Sequence, residues 1–204
     1  MKVKICGITN YEDASLCAGL GADAIGFIFY KQSKRYIEPD QAKRIIAKLP
    51  FLLMKVGVFV NEEAATVNTI AKNIGLSAVQ LHGDEDIKYI NQMNVPVIKG
   101  LRIKEGFNFQ KLAEFGDCTF LLDTFSQKEM GGTGTTFDWN IIPAELRDRI
   151  ILAGGISADN IEKVYREISP QAVDLSSSLE EYPGKKDKDK VVQFFKILNQ
   201  LRGR

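Results

Sequence analysis

Residues 56–83 read VGVFVNEEAATVNTIAKNIGLSAVQLHG, a strand, a helix and a second strand in immediate succession. The opening run, Val56 to Val60, is apolar throughout rather than alternating. The central stretch starts at the capping-type Asn61 and stops at Gly75, as a helix does. The closing run, AVQLHG, is apolar again up to its last residues. Strands with near-continuous apolar character are those covered on both faces, as in a parallel sheet with helices packed on it.

The same unit recurs on either side. Strands are predicted in VKICG, AIGFIF, LMKVGVFV, AVQLHG, PVIKGLR, TFLLDT, IILAGG and AVDLSS. Helices are predicted in NYEDASLCAGLG, which starts at Asn10, and in EPDQAKRIIAKL, with Pro39 near its start. Others are predicted in DEDIKYINQM, FNFQKLAEFG, SADNIEKVYREIS and KDKDKVVQFFKILNQL, with a further segment around DWNIIPAELRDR. Eight strands alternating with helices point to a single (β/α)8 TIM barrel over residues 1–204, with short loops. The alternative, an open doubly wound sheet, would need a G-x-G-x-x-G first turn, and CGITNYEDA carries one glycine there.

Composition narrows the function. Lys plus Arg number 27 against 26 Asp plus Glu, a net charge of +1, with the basic residues scattered. That gives no case for nucleic acid or an anionic membrane as partner. No apolar run approaches the roughly 20 residues of a membrane span. Three cysteines without zinc-type spacing argue for reduced thiols in a cytoplasm.

In such a barrel the chemistry sits at the C-terminal ends of the strands. The first strand ends in Cys6 and Gly7, the fourth in Gln80, Leu81 and His82, the sixth in Asp123. The seventh ends in Gly154 and Gly155, the eighth in Ser176, Ser177 and Ser178, and Arg35 lies in the loop after the second. The last two loops suit a phosphate, because glycine turns bring backbone N–H groups close to an anion. A tight turn alone would also explain Gly154 and Gly155. Asp123, at the end of a buried strand, suits proton donation or a structural hydrogen bond. Cys6 is either small buried filler or a thiol awaiting a cation, which Arg35 or His82 could supply. MGGTGTTFDW reads as a flexible loop, a lid or a further backbone-donor surface.

Taken in order, KICGIT, DAIGFIF with SKRYI, VGVFVN, VQLHGDE, LLDT with GGTGTTFDW, LAGGIS, and VDLSS with EEYPGKKD resemble the phosphoribosylanthranilate isomerases of tryptophan biosynthesis. The resemblance spans residue 2 to about residue 187. It implies an Amadori rearrangement of N-(5-phosphoribosyl)anthranilate to the carboxyphenylamino-deoxyribulose phosphate, with no metal or organic cofactor. It also implies Cys6 as general base and Asp123 as general acid. Arg35 would bind the anthranilate carboxylate. Gly154, Gly155 and the three serines would bind the phosphate, with Gln80 and His82 as further substrate contacts. The family contains monomers and homodimers, the latter formed through loops on the N-terminal face.

One position departs from the pattern: Ser178 stands where the family usually has glycine. Were that position at positive φ, serine would be strained and phosphate affinity would suffer. Two other readings stay open. One is the histidine-pathway isomerase on the same barrel, which uses an aspartate where this chain has Cys6. The other is a non-catalytic barrel that binds a phosphorylated ligand.

Overall fold

The protein is described by a computed structural model covering residues 1–104, 106–116, 118–124 and 139–203. The glycine-rich segment up to Asp138 lies outside the described residues.

All eight predicted strands form. They are β1 (Lys2–Ile5), β2 (Ala24–Ile28), β3 (Met54–Phe59) and β4 (Ala78–Leu81), then β5 (Val97–Ile103), β6 (Thr119–Thr124), β7 (Ile150–Leu152) and β8 (Ala172–Leu175). Each pairs in parallel with the next, and β8 closes onto β1 through Lys2–Ala172, Val3–Val173, Lys4–Asp174 and Ile5–Leu175. Successive side chains alternate between the two faces of this closed sheet. Val3, Ile5, Ile25, Phe27, Val79, Leu81 and Leu122 join the large apolar cluster shared with the helices. Ala24, Val56, Ile98, Leu121, Ile151, Ala153 and Ala172 form a separate cluster, the apolar plug inside the barrel.

The long helices follow their capping signals. In α1 (Tyr11–Leu20) the Asn10 side chain accepts from the Asp13 N–H at 2.9 Å, and Gly21 ends the helix in the left-handed region at φ 105°. Helix α2 (Pro39–Ile46) begins on its proline. Helix α3 (Ala64–Ile74) ends at Gly75 but starts later than Asn61 predicts, with Glu63 as its cap. Asn61 has another task. At φ 50° its N–H donates to Glu85 Oε1 and its Oδ1 accepts from the Asp84 N–H at 2.7 Å, tying the loop after β3 to the loop after β4.

The helices between β4 and β8 are shorter than predicted. DEDIKYINQM yields a single turn, α4 (Ile87–Ile90). FNFQKLAEFG is a 3₁₀ stretch, Phe109–Phe115. Its apolar residues Phe109, Leu112 and Phe115 recur every third position, which matches three residues per turn better than 3.6. DWNIIPAELRDR gives two 3₁₀ segments, Trp139–Ile141 and Ala144–Arg149, separated by Pro143. In SADNIEKVYREIS, α5 (Ile161–Lys163) widens at once into a π turn over Val164–Ile168. After β8 comes a small antiparallel hairpin, β9 (Glu180–Tyr182) and β10 (Lys185–Lys186), and then α6 (Lys188–Leu201). The Asp187 side chain caps α6 by accepting from the N–H groups of Asp189 and Lys190.

Candidate active site

The C-terminal mouth of the barrel gathers the inward-facing strand ends. Cys6 follows β1 on the same face as Lys4 and is nearly fully buried. Gly26 on β2 makes its room, since a Cβ there would lie 2.8 Å from Cys6 Sγ. Gly7, next to the thiol, has φ +77°, and a Cβ on it would meet Arg35 Cδ at 2.7 Å. The glycine that follows Cys6 is thus required both by its backbone and by the arginine lying against it.

Arg35 reaches the mouth from the loop after β2, but its guanidinium is already engaged. Nε donates to Glu180 Oε1 at 2.9 Å, and Nη2 donates to Oε2 at 2.7 Å, a bidentate pair with a buried carboxylate. Lys186 Nζ adds a third cationic contact to Glu180 Oε1 at 3.0 Å. Burial raises the Glu180 pKa, and the Arg35 and Lys186 partners outweigh it, so the carboxyl lies below its usual range. The hairpin carrying Glu180 is fixed on α1 by the buried Asp13, which accepts from the Lys186 N–H at 2.7 Å and pairs with Lys185 Nζ. The loops after β2 and β8 are therefore locked together across the rim. Glu180 lies in EEYPGKKD, and nothing in that string marks it as the arginine's partner.

Opposite them, Gln80 and His82 share the inward face of β4. Gln80 Nε2 lies 3.0 Å from His82 Nδ1, and His82 Nε2 lies 3.7 Å from Asp123 Oδ2 at the end of β6. With the Gln80 amide donating, Nδ1 accepts and Nε2–H faces the carboxylate. Burial first, then the positive charges of Arg102, Lys4 and Lys99, push the His82 pKa down to about 4. His82 is thus neutral at physiological pH and supplies no positive charge to Cys6, contrary to expectation. The loop beyond it is held by Lys99, whose Nζ donates to Gly83 O at 2.7 Å and pairs with Glu85 at 2.8 Å.

Gly154 and Gly155 follow β7 at φ 85° and 69°. Asn160 clamps that turn, donating to Gly155 O at 2.7 Å and accepting from the Ser157 N–H. Among the described residues, no backbone carbonyl takes the N–H of Gly154 or Gly155. After β8, Ser177–Leu179 make one 3₁₀ turn. Ser178 is not among the residues at positive φ. The strain foreseen for a serine there is absent.

Buried polar atoms lacking a hydrogen-bond partner among the described residues gather at this mouth. Buried Lys4 Nζ, Gln80 Oε1, Asp174 Oδ1 and Ser176 Oγ have no hydrogen-bond partner among the described residues, and only Trp139 Nε1 joins them. Lys4 and Asp174 still pair by charge, whereas Gln80 Oε1 and Ser176 Oγ face the mouth as polar atoms left for a ligand. The described residues hold no cluster of His, Cys, Asp and Glu suited to a metal.

Comparison with known proteins agrees with this arrangement. Residues 3–197 match the family model for N-(5'phosphoribosyl)anthranilate (PRA) isomerase. N-(5'-phosphoribosyl)anthranilate isomerase of Pelobacter propionicus is 44% identical over 203 residues, which is 99% of this chain and 97% of that protein. A crystal structure of phosphoribosyl anthranilate isomerase in complex with reduced 1-(o-carboxyphenylamino)-1-deoxyribulose 5-phosphate is 40% identical. It superimposes with a TM-score of 0.87, covering 98% of this chain and 99% of that one. A structure of monomers generated from the dimeric Thermotoga maritima enzyme is 39% identical, with a TM-score of 0.85 and 97% of each chain covered. Sequence and fold agree: the chain belongs to the N-(5'-phosphoribosyl)anthranilate isomerase family.

Proposed function

We propose that residues 1–204 act as one barrel domain that isomerises N-(5'-phosphoribosyl)anthranilate in tryptophan biosynthesis, with Cys6 as general base and Asp123 as general acid. The observation that carries this reading is the pair of inward rim positions held by Cys6, just after β1, and Asp123 on β6. Asp123 protonates the ribose ring oxygen and the ring opens to a Schiff base. Cys6 then takes the proton from carbon 2, and the electron pair of that bond forms the enolamine, which tautomerises to the ketose. Arg35, held rigid by Glu180 along its Nε–Nη2 edge, offers its remaining N–H donors to the anthranilate carboxylate. The phosphate takes the N–H groups of Gly154 and Gly155 and those at the start of the Ser177 turn. Gln80 Oε1 and Ser176 Oγ are polar groups for the sugar hydroxyls.

The test is direct. Fresh N-(5'-phosphoribosyl)anthranilate, made from anthranilate and phosphoribosyl pyrophosphate, should lose its fluorescence when the protein is added. Binding without turnover would favour the non-catalytic reading. Ser178→Gly should leave kcat and KM within about twofold of the starting values, because Ser178 already has an unstrained backbone. A markedly lower KM would show that the serine does hinder phosphate.

No described helix is long and apolar enough to cross a membrane, and we place the enzyme in the cytoplasm. Between monomer and homodimer, the loop before β3 favours the homodimer. Phe51 and Leu52 are 93% and 89% exposed on the N-terminal face, side by side. Lys55 Nζ holds that loop by donating to Pro50 O at 2.8 Å and Phe51 O at 3.0 Å. An apolar pair offered this rigidly suits a self-complementary contact across a two-fold axis. Phe51→Glu should convert a dimer seen by light scattering into a monomer with turnover within about twofold of the parent. A parent that is already monomeric would remove the homodimer.

A further inference from the structure

A thiol ionises when a cation stands beside it. Neither cation expected from the sequence does so at Cys6. Arg35 is paired with Glu180, and His82 is neutral. A third cation lies beneath the thiol. Lys4 is two residues before Cys6 on β1, so strand alternation sends both side chains into the barrel. Lys4 is only 2% exposed, and its Nζ is 2.9 Å from Asp174 Oδ2 on the adjoining β8.

That contact joins two buried groups of opposite charge, and Asp174 Oδ1 has no hydrogen-bond partner among the described residues. The ammonium is shared between the Asp174 carboxylate and the Cys6 thiol, which is close enough to interact with it. A buried ion pair stabilises a fold weakly, because desolvation offsets its attraction. The layer below shows that the interior can be filled by aliphatic side chains such as Ala24, Val56 and Ile98. An ion pair directly under a thiol has a better explanation in the chemistry of that thiol.

We propose that Lys4 is a positioning residue that stabilises the Cys6 thiolate, and that Asp174 shares the ammonium and so sets how readily the thiol releases its proton. The inference rests on Cys6 being the general base. The thiol first gives its proton to solvent. The thiolate then takes the carbon 2 proton and becomes a thiol again, while Lys4 and Asp174 keep their protonation states. The charged groups acting on Cys6 are Lys4 from β1, Asp174 from β8 and Lys186 from β10. Burial pushes the resting thiol up. Lys4 is the strongest opposing pull, and the Asp174 charge works on the side of burial. The ammonium itself stays protonated, because Asp174 and Cys6 outweigh its desolvation.

The two partners therefore have opposite expected effects. Iodoacetamide alkylation of Cys6 is followed against pH in full-length protein without substrate, read on the Cys6 peptide by mass spectrometry. Asp174→Asn should lower the apparent thiol pKa by about one unit, and Lys4→Met should raise it by at least as much. Lys4→Met should also reduce kcat at least about tenfold, with the ascending, low-pH limb of the kcat profile moved to higher pH and KM little changed. Lys4→Arg should restore part of the shift. A merely structural role would not give shifts of opposite sign. Should Lys4→Met fail to fold, Asp174→Asn still carries the sign. An unchanged or raised thiol pKa in Asp174→Asn overturns the proposal. An active Cys6→Ser enzyme would instead overturn the base assignment beneath it, a failure the substrate-free titration separates from that of Lys4.

Discussion

Replacing Cys6 by serine is expected to cut kcat by about 10²- to 10⁴-fold, the usual contribution of a positioned general base, while the protein keeps its fold. The substitution is nearly isosteric. The space that Gly26 leaves for Sγ accommodates a hydroxyl, and the inner apolar cluster lies below it untouched. A serine hydroxyl, however, does not ionise under any condition the barrel survives, so Lys4 would face a group with no proton to release. KM should change little, because Cys6 is asked to act on carbon 2 and not to hold phosphate or carboxylate. The comparison needs the other thiols as controls. Cys17 lies on α1 in the main core, where burial pushes it up to about 12, and Cys118 sits just before β6. Cys17→Ala and Cys118→Ser should stay near parental turnover. Fluorescence-monitored turnover, with a thermal melt for each variant, settles the matter. A Cys6→Ser enzyme within tenfold of the parent would remove Cys6 as the base.

Asp123→Asn is expected to lose a similar factor, about 10²- to 10⁴-fold in kcat, because asparagine keeps the shape of the carboxyl but has no proton to transfer. Its neighbour His82, 3.7 Å away, is the natural rival for the acid's role. With its pKa near 4, His82 is unprotonated where the enzyme works, which makes it a hydrogen-bond donor and not an acid. His82→Asn should therefore cost much less than Asp123→Asn. Equal losses would mean that the two act as one unit, and an Asp123→Asn enzyme retaining most of its turnover would discard the acid assignment.

How much of this was legible in the sequence depends on how local the signal is. All eight strands could be read, because a parallel strand covered on both faces is an apolar run whatever its neighbours are. Helices α1, α2 and α6 could be read from caps and periodicity. The short elements after β4 and β5 could not be given their true form. The element after β4 is one turn, too short for any period, and after β5 the every-third spacing of Phe109, Leu112 and Phe115 rests on three residues, too few to overrule a helix by themselves. Asn61 looked like a cap and is instead a tie between two loops, since its partners Asp84 and Glu85 come from the next unit.

The sequence by itself determined the barrel, the family and the row of strand ends from which Cys6, Asp123 and the glycine turns face one mouth. Alternation along each strand is enough for that, because it fixes which residues turn inward before any strand has a neighbour. Only the tertiary structure decided the electrostatics of the mouth. Lys4 reads as an ordinary lysine at the start of a strand until β8 closes onto β1 and sets Asp174 beside it. Arg35 reads as a free fork until the hairpin after β8 brings it Glu180, 145 positions away. Charge pairs across a closing sheet depend on register and on where loops cross, and neither leaves a periodic trace in the chain.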